Sequence, residues 1–374
     1  MISILFLIRS LERGGAERQL IELVKGLDKT RFRVAVVTFY DGGSLRPELE
    51  RVPDIEVFSL HKASRWDLIA ILPRLYRLTR TFNPRVIHGY MGVANHLAVP
   101  LGKLVGARVV WGVRASTMDA SEYDWTFTWL SRLSIFLARY PDVIMVNSTA
   151  AKETIVRETA AQRVVMVPNG IDTDTHRRMC EAGRRVRSEW GIAPNVQLVG
   201  LVARLEPMKD HPTFLRAAAE LHGERSDVRF VCVGDGPAVY ADKMRELAGS
   251  LGLSSTLRWA GARTDMPAVY SALDVAVSSS CYGEGFSNAT AEAMACEVPC
   301  VVTDVGESAA IVGDRRQVVP IKDSGALASA VGRLLGMPKE ERVASGDRAR
   351  DRVVREFGVM KLVTRTEEIL ESFP

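Results

Sequence analysis

The regular alternation of short apolar runs with longer amphipathic stretches restricts this chain to few folds. Runs rich in β-branched residues recur along its whole length, and segments with helical spacing separate them. Strands that are apolar throughout are buried on both faces, so the pattern predicts parallel sheets covered by helices. Two successive sets of about six strands in 374 residues predict an α/β fold of two doubly wound, Rossmann-like domains. The predicted strands are residues 2–8, 33–39, 85–88, 107–113, 143–147, 164–167, 197–203, 229–233, 256–260, 274–278, 299–303 and 317–320.

The boundary between the domains is predicted at a turn-rich pentapeptide, Pro168-Asn169-Gly170-Ile171-Asp172. A polar, Arg-rich segment with weak strand signal follows it. We therefore assign residues 1–172 to an N-terminal domain and residues 173–360 to a C-terminal domain. Residues 361–374 carry apolar side chains at helical spacing, and we treat them as a closing helix that can pack back on the N-terminal domain.

Neither a targeting segment nor a membrane span is predicted. Residues 1–8 are apolar but lack a basic leader and a small-residue cleavage site, so we interpret them as a buried strand. No uninterrupted apolar run reaches the roughly 18 residues that a membrane helix needs. The five cysteines contain no Cys-x-x-Cys pair, which argues against a disulfide framework or zinc ribbon and favours a reducing, cytoplasmic location.

Positive charge is concentrated in the first half of the chain. Residues 1–170 carry 23 Lys and Arg against 16 Asp and Glu, whereas the remainder carries 26 against 29. This excess suggests an anionic partner for the first half, although random surface variation gives the same asymmetry. Nucleic acid is disfavoured, because no helix-turn-helix, zinc-finger or aromatic RNA-binding pattern occurs.

Two segments are candidates for a peripheral membrane surface on the inner face of the cytoplasmic membrane. Residues 66–80 mix Leu, Ile and Tyr with three Arg, as in a helix that lies on anionic headgroups. A core-packed helix with a solvated Arg face fits this pattern too. Trp125 and Trp129 form a second, aromatic candidate, for which a core position is the alternative.

The most informative motif is Glu284-Gly-Phe-Ser-Asn-Ala-Thr-Ala-Glu292, which follows a predicted strand through a Gly-flanked turn into a helix. In a doubly wound sheet, ligands bind at the carboxyl ends of the strands, where this turn lies. Gly285 allows close backbone approach, and the first helical amides would point at an anion or at hydroxyls. Two carboxylates so placed suit paired hydroxyls, as on a sugar and a ribose.

A second strand delivers two cations into the loop that follows it. Arg204 and Lys209 stand after residues 197–203, where a guanidinium fork and a point charge would suit a diphosphate. Gly234 lies in a Gly-rich turn, Val233-Gly-Asp-Gly-Pro237, which is a weak dinucleotide fingerprint. Gly14 and Gly15 open the first helix as a further phosphate- or hydroxyl-binding turn. Each of these features taken alone also fits a solvated loop or a simple turn.

Together these motifs, in this order and spacing, resemble the retaining glycosyltransferases of family 4 (glycosyltransferase group 1), over nearly the whole chain. The matching segments are Gly14-Gly15-Ala16-Glu17, Pro168-Asn169-Gly170-Ile171-Asp172, Arg204 with Lys209, Gly234-Asp235-Gly236-Pro237 and Glu284 to Glu292. The resemblance implies a GT-B fold, in which two Rossmann-like domains face an interdomain cleft. It also implies that the N-terminal domain binds the acceptor and the C-terminal domain the nucleotide-sugar.

The resemblance implies a role for each matching residue. Glu292 would bind the donor ribose and Glu284 the hydroxyls of the transferred sugar. Arg204 and Lys209 would hold the diphosphate, and with Glu284 they form the predicted catalytic set. The remaining donor-binding candidates are Gly15, Gly234, Arg263 beside the base, Gly285, Phe286, Ser287 and Asn288.

The sequence departs from the family in the N-terminal domain. Many members carry a His there that contacts the donor sugar, whereas Arg114 stands near that position here. Gly14, Arg114 and His88 are therefore acceptor-side candidates, and the sugar identity stays open.

The expected reaction uses no metal and no cofactor. The two cations and the helical amides would stabilise the departing diphosphate, and Asp172-Thr-Asp174, which follows the boundary turn, is not assigned to a metal. The expected partners are a nucleotide-sugar, with UDP-sugar favoured, and a saccharide or lipid-linked acceptor of the lipopolysaccharide type. The alternatives are a nucleotide-sugar 2-epimerase of the same architecture, a nucleotide-dependent oxidoreductase, which the missing Gly-x-Gly-x-x-Gly disfavours, and a non-catalytic glycan-binding protein.

Overall fold

The computed structural model describes residues 1–12, 14–64, 67–114 and 125–373, without the side chains of residues 68, 69 and 125–128. The side chain of Trp125 and all of Trp66 therefore lie outside the described residues. The strands of the described chain are β1 Ile2–Ile8, β2 Phe32–Thr38, β3 Ile55–Ser59, β4 Val86–Tyr90, β5 Arg108–Val113, β6 Val143–Val146, β7 Val164–Met166, β8 Gln197–Val202, β9 Val228–Val233, β10 Leu257–Trp259, β11 Val275–Ser278, β12 Cys300–Thr303 and β13 Val318–Val319.

The helices alternate with these strands along the chain. They are α1 Gly15–Gly26, α2 Arg46–Glu50, α3 Leu68–Phe82, α4 Gly92–Val105, α5 Trp125–Leu137, α6 Thr149–Glu158, α7 Cys180–Glu189, α8 His211–Glu224, α9 Ala238–Ser250, α10 Met266–Ala272, α11 Asn288–Ala295, α12 Ser308–Val312, α13 Ser324–Gly336, α14 Lys339–Phe357 and α15 Val359–Glu371. Among the described residues, no helix combines the length and apolar character needed to cross a bilayer.

The chain divides into two compact units. The first comprises Met1–Gly170 with Val359–Pro374, and the second comprises Ile171–Gly358. Each unit contains one parallel sheet, in the order β3-β2-β1-β4-β5-β6-β7 in the first and β10-β9-β8-β11-β12-β13 in the second. The α/β fold class with two doubly wound domains is therefore confirmed, and all twelve predicted strands correspond to observed ones.

Strand β3 is the strand that the apolar pattern did not predict. It lies at the edge of the first sheet, where it pairs with β2 alone, and each of its five residues is half-buried. An edge strand has one neighbour and a partly wet face, so its sequence, Ile-Glu-Val-Phe-Ser, is not a continuous apolar run. The first sheet consequently has seven strands where six were expected.

Helix α15 packs within the first unit. Leu362 and Leu370 belong to the same buried cluster as Leu20 of α1, and the Glu367 carboxylate accepts a 2.9 Å hydrogen bond from the Asp28 amide. The chain thus returns to its first unit after completing the second, and the change of unit occurs at Gly358–Val359. Burial of one helix face explains the helical spacing of the apolar residues near the C-terminus.

Each sheet has one point at which the strand order reverses. In the first unit this point lies between β1 and β4, and in the second between β8 and β11. The loops after two such neighbouring strands diverge to opposite faces of the sheet and leave a crevice at the carboxyl edge, where ligands bind in doubly wound folds. The geometry of the second crevice positions the charged residues described next.

Candidate functional site

The candidate site lies at the carboxyl edge of the second unit, where β8 and β11 are direct neighbours. Ala276 of β11 is paired with Gly200 of β8, so both strands end at the same edge. The loop after β8 carries Arg204 and Lys209, and the loop after β11 carries Glu284. Residues about 75 positions apart in sequence therefore meet because of the strand order.

Lys209 and Glu284 form the charged centre of this edge. The Lys209 ammonium forms an ion pair with Oε2 of Glu284, and both side chains are largely buried, with 18% and 10% of their surfaces exposed. Ser280 Oγ donates a 2.9 Å hydrogen bond to the same carboxylate oxygen. Both interactions described for this carboxylate fall on Oε2.

Backbone contacts hold the two loops against each other. Ser279 Oγ donates to the Lys209 carbonyl at 2.8 Å, and the Cys281 amide donates to the Met208 carbonyl at 2.9 Å. Thr303, at the end of β12, donates through Oγ1 to the Ser280 carbonyl. The ammonium and the carboxylate are thus positioned by a rigid framework rather than by free side chains.

Arg204 differs from Lys209 in its exposure. Its side chain is 64% exposed and forms a 2.9 Å ion pair with Glu206, so its guanidinium can reorient toward an incoming anion at little cost. Gly234 lies directly against the backbone before Arg204, since it adopts φ +141° and an added Cβ would overlap the Ala203 carbonyl oxygen. A side chain at position 234 would push the two loops apart.

Helix α11 begins at Asn288 and directs its first amides toward the same edge. Ser287 occupies the N-cap position and is hydrogen bonded through its hydroxyl to Thr290 Oγ1 at 2.9 Å. The Phe286 ring packs edge-on against Phe357 with centroids 5.3 Å apart, so only its backbone can serve a ligand. The Gly285 carbonyl accepts a hydrogen bond from the Glu307 amide, which fixes the turn before the helix.

Glu292 is held by two residues that the sequence did not identify. Tyr270 donates through its hydroxyl to Oε2 of Glu292 at 2.9 Å, and His176 Nε2 lies 3.9 Å from the same oxygen. Burial, with a smaller contribution from Glu292, raises the pKa of Tyr270 well above its usual value, so the phenol stays protonated and donates. Nδ1 of His176 lies 3.2 Å from the Asp172 carbonyl, which orients the ring.

Asp172 has a local structural role. Its carboxylate accepts hydrogen bonds from the amides of Asp174 and Thr175 and from the Thr175 hydroxyl. These bonds lower the pKa of Asp172 despite the opposing effect of burial. A turn-capping role therefore accounts for the first acid of the Asp172-Thr-Asp174 triplet.

Arg263 is already paired on both sides. Its guanidinium contacts the Glu189 carboxylate at 2.6 Å and the Asp265 carboxylate at 2.8 Å, and these hydrogen bonds raise its pKa. The pairs connect the end of α7 to the start of α10. The structure thus assigns Arg263 to this connection, and its predicted place beside a nucleotide base stays a prediction.

The first unit buries two of its candidate residues, Arg114 and His88. Arg114 follows β5 and donates to the Val167 carbonyl at 2.8 Å, to Asn169 Oδ1 at 3.3 Å and to the Tyr90 hydroxyl at 3.3 Å. Within the described chain these partners are all neutral. The guanidinium therefore connects the ends of β4, β5 and β7, and its predicted place on the acceptor side stays a prediction.

His88 lies in the core beneath Arg114. Its ring packs between Phe6 and Tyr90 at centroid distances of 5.1 and 5.0 Å, and its surface is fully buried. Burial, reinforced by the Arg114 cation, lowers the pKa of His88 to about 3, so the ring is neutral at physiological pH. The structure gives His88 no exposed atom for an acceptor, and a direct contact is not assigned to it.

Gly14 and Gly15 lie at the N-terminus of α1, as the sequence predicts. Gly14 is the N-cap residue in extended conformation, and an added Cβ there would overlap the Glu17 carboxylate. This glycine allows the side chain in the first turn of α1 to fold back over the cap.

The structure therefore brings together Lys209, Glu284 and the start of α11, with Arg204 and Gly234 beside them. Glu292 lies one helical turn further along α11. Ser280, Tyr270 and His176 are the supporting residues that the motifs missed. Ser280 could have been detected, because it is a polar residue close after an apolar strand. Tyr270 and His176 belong to segments with no distinguishing pattern.

Comparison with known proteins agrees with this architecture. Residues 13–175 match the family model described as Glycosyltransferase Family 4, and residues 196–337 match the model described as Glycosyl transferases group 1. The chain is 24% identical over 316 residues to the glycosyltransferase EpsF of Bacillus subtilis (strain 168), covering 80% of this chain and 79% of EpsF. It is 32% identical over 242 residues to D-inositol 3-phosphate glycosyltransferase 2 of Catenulispora acidiphila, covering 61% of this chain and 55% of that protein.

Solved structures extend the likeness to the whole chain. Alr3699/HepE of Anabaena, crystallised with UDP and glucose, superposes with a TM-score of 0.86 at 21% identity and full coverage of both chains. WaaG, a glycosyltransferase of lipopolysaccharide biosynthesis, gives a TM-score of 0.74 at 15% identity, with 99% of this chain and all of WaaG covered. With two doubly wound units and both family models matched in order, the chain belongs to the group 1, family 4 glycosyltransferases and has their GT-B fold.

Proposed function

We propose that this glycosyltransferase moves a sugar from a UDP-sugar to a saccharide or lipid-linked saccharide, with retention of anomeric configuration and without a metal. The observation that carries the proposal is the buried Lys209–Glu284 pair at the reversal point of the second sheet, with Ser280 fixing the carboxylate. A cation and an acceptor-only group so close together suit the diphosphate and the sugar hydroxyls of one donor.

Relatives support the choice of donor and of acceptor class. HepE was crystallised with UDP-glucose, and WaaG acts in lipopolysaccharide biosynthesis. A surface glycan built on a lipid would place the enzyme at the inner face of the cytoplasmic membrane, where an anionic surface would attract its basic first unit.

The chemical step follows from where charge develops. As the bond between the anomeric carbon and the diphosphate oxygen breaks, negative charge accumulates on the leaving diphosphate. Lys209, Arg204 and the first amides of α11 would stabilise that charge. The acceptor oxygen attacks the same face of the sugar, forms the new glycosidic bond and passes its proton to the departing phosphate oxygen. This step needs neither a protein nucleophile nor a metal ion.

Donor binding would have to separate the Lys209–Glu284 ion pair. A diphosphate competes with Glu284 for the Lys209 ammonium, and the carboxylate thereby becomes available to the sugar hydroxyls. Ser280 would keep the carboxylate oriented during this exchange. Glu292, anchored through Oε2, would offer its other oxygen to the ribose. In the first unit, Gly14 and Gly15 are the residues we propose near the acceptor.

The decisive experiment measures UDP release from UDP-sugars with and without a saccharide acceptor, in the presence of EDTA, and determines the anomeric configuration of the product by NMR. Acceptor-dependent release with retention is expected. Release from the donor alone, with an epimerised sugar, would instead indicate the 2-epimerase. Loss of activity in EDTA that is restored by magnesium would overturn the metal-free mechanism.

Two variants test the assigned charges. Arg204→Ala is expected to lower turnover by at least tenfold without lowering thermal stability, because the Arg204 side chain is mostly exposed. Lys243→Ala, on the exposed face of α9, is the matched control and should keep full activity. Full activity in Arg204→Ala would remove that residue from the mechanism.

A further inference from the structure

Helix α5 in the first unit presents a continuous apolar stripe to solvent. Trp129 is 66% exposed and Phe136 is 50% exposed, and Leu130 and Leu133 are about two-fifths exposed. These residues share one helix face, because their spacing follows the helical repeat. We call this set the α5 stripe. A contiguous set of exposed aliphatic and aromatic side chains is typical of an interaction surface.

The stripe is not an unpacked remnant of the core. The opposite face of α5 packs on α4, where His96 Nε2 lies 2.6 Å from Ser134 Oγ, and Ala138 is buried just beyond the helix. The described part of the first unit thus forms its buried core without using the residues of the stripe.

Of the two membrane candidates of the sequence, Trp129 lies on α5 and residues 66–80 overlap α3, which packs more closely on the core. Its apolar residues Ile71, Leu75 and Phe82 are buried in the core of the first unit. Arg74 on the same helix donates to the Leu60 carbonyl at 3.2 Å. One face of α3 is therefore packed in the core, and its exposed apolar residues, Leu72 and Tyr76, are about two-fifths exposed. Helix α5 exposes larger aromatic surface, through Trp129 and Phe136.

The charged residues of α5 and of the turn after it are both Arg. Between Trp125 and Pro141 the sequence contains Arg132 and Arg139, and Asp124 and Asp142 stand directly outside this segment. The Arg139 guanidinium lies over the Phe136 ring at 4.6 Å, so the cation and the aromatic face form one surface. A helix that combines exposed aromatic and aliphatic side chains with Arg is typical of helices that lie in the headgroup region of an anionic bilayer.

A basic cavity of about 450 Å³ continues this surface beyond the end of α5. Tyr140 links the two, since its ring contacts Phe136 edge-on and Lys103 Nζ lies 3.8 Å from its centroid. Lys103, Arg85 and Arg108 line the cavity with Asp142, which is neutralised by a 2.9 Å ion pair with Arg108. Lys103 and Arg85 thus leave a net positive charge, which suits a phosphate headgroup.

We propose that the α5 stripe and this cavity form a docking surface for an anionic phospholipid bilayer. The apolar side chains would enter the boundary between headgroups and acyl chains, and Lys103 and Arg85 would receive lipid phosphates. The biological purpose of this surface rests on the proposed function. The surface would hold the enzyme at the membrane, where a lipid-linked acceptor is found. The binding itself requires neither donor nor acceptor.

The test is co-sedimentation of the full-length protein with phosphatidylcholine vesicles and with vesicles containing about one-quarter phosphatidylglycerol. The wild type is expected to bind the anionic vesicles and to be released by salt. Trp129→Ser combined with Phe136→Ser should weaken binding at least tenfold, because both anchors are lost. Lys103→Glu should weaken it several-fold.

Matched controls separate this surface from general effects. Leu72→Ser combined with Tyr76→Ser changes the exposed apolar residues of α3, which are 41% and 38% exposed. Lys152→Glu changes the charge at an exposed position of α6. Both should bind like the wild type. Thermal melting curves of all variants verify folding. Unchanged binding in the α5 variant, equal binding to neutral vesicles, or equal losses in the controls would each overturn the proposal.

Other outcomes distinguish this proposal from the proposed function. If the α5 variant keeps turnover on a water-soluble acceptor while losing vesicle binding, the docking surface is supported independently of the transfer reaction. A different outcome is that the wild type does not bind vesicles but forms dimers, and that the α5 variant is monomeric. In that case the stripe joins two copies of the chain and the lipid proposal is wrong.

Discussion

The carboxyl edges of the two sheets have the same topology and opposite chemistry. In the second unit, Lys209 and Glu284 form an ion pair at the edge, and Arg204, in the same loop as Lys209, is 64% exposed. In the first unit, the corresponding edge buries Arg114 against neutral acceptors and encloses a neutral His88. The strand order alone therefore creates a place for a ligand in each unit, and the side chains decide whether that place binds charge or stabilises the fold.

The variant with the largest expected effect is Lys209→Ala. We expect turnover to fall by about a thousandfold, because a buried cation that stabilises a leaving diphosphate has no substitute in the exposed Arg204. Removing the lysine also leaves the Glu284 carboxylate buried without its cation, so the thermal midpoint should be measured together with kcat. Turnover within threefold of the wild type would refute the assigned role.

The counterpart in the first unit is Arg114→Met, which should act on stability. The Val167 carbonyl and Asn169 would each lose a buried donor, at a cost of about 3 kcal/mol to the free energy of unfolding of the first unit. Hydrogen exchange of β4 and β8 reports the two units separately. Unchanged protection of β4, with loss of acceptor affinity, would show that Arg114 belongs to the site and not to the fold.

Acid should destabilise both units through buried histidines. His88 in the first unit and His211 in the second have the largest decreases in pKa, and burial also lowers the pKa of His96 in the first unit. Burial lowers the pKa of His88 to about 3 and that of His211 to about 4. Below pH 6.5 these rings therefore bind protons in the unfolded chain but stay neutral in the folded chain. Stability should therefore fall as pH decreases from 6.5 toward 4, by about 2 kcal/mol per histidine at pH 5.

Single variants assign this acid sensitivity to its unit. His88→Gln should flatten the pH dependence of β4 exchange and leave that of β8 unchanged, and His211→Gln should do the reverse. Identical pH profiles for wild type and variants would contradict the neutral, buried state of these rings.

The smallest expected effect concerns the support of Glu292. Tyr270→Phe removes the hydroxyl that holds Oε2 and should raise the donor KM about tenfold, with kcat changed less than twofold, because the residue positions a binding group. Tyr76→Phe in the first unit is the control. A fall in kcat at constant KM would place Tyr270 in the chemical step instead.

Much of the architecture could be predicted from local sequence. Strands buried on both faces, such as β1 and β8, read as continuous apolar runs, so their positions agree with the structure to within one or two residues. The edge strand β3 lacks that run and was missed for the same physical reason. In the candidate site, Lys209, Glu284 and Glu292 could be singled out from the sequence because each stands in a short segment after an apolar strand, in a loop for the first two and in the first turns of α11 for the third.

Features with local causes could be predicted from the sequence: the segments that are apolar on both faces, the positions of the turns, and the charged residues that follow a strand. Which of these residues contact each other depends on the folded structure. The strand order set Glu284 against Lys209, the packing of α10 brought Tyr270 to Glu292, and the covering of α3 but not α5 left one apolar stripe exposed. These outcomes depend on which neighbour covers each face, and residues distant in sequence supply that neighbour.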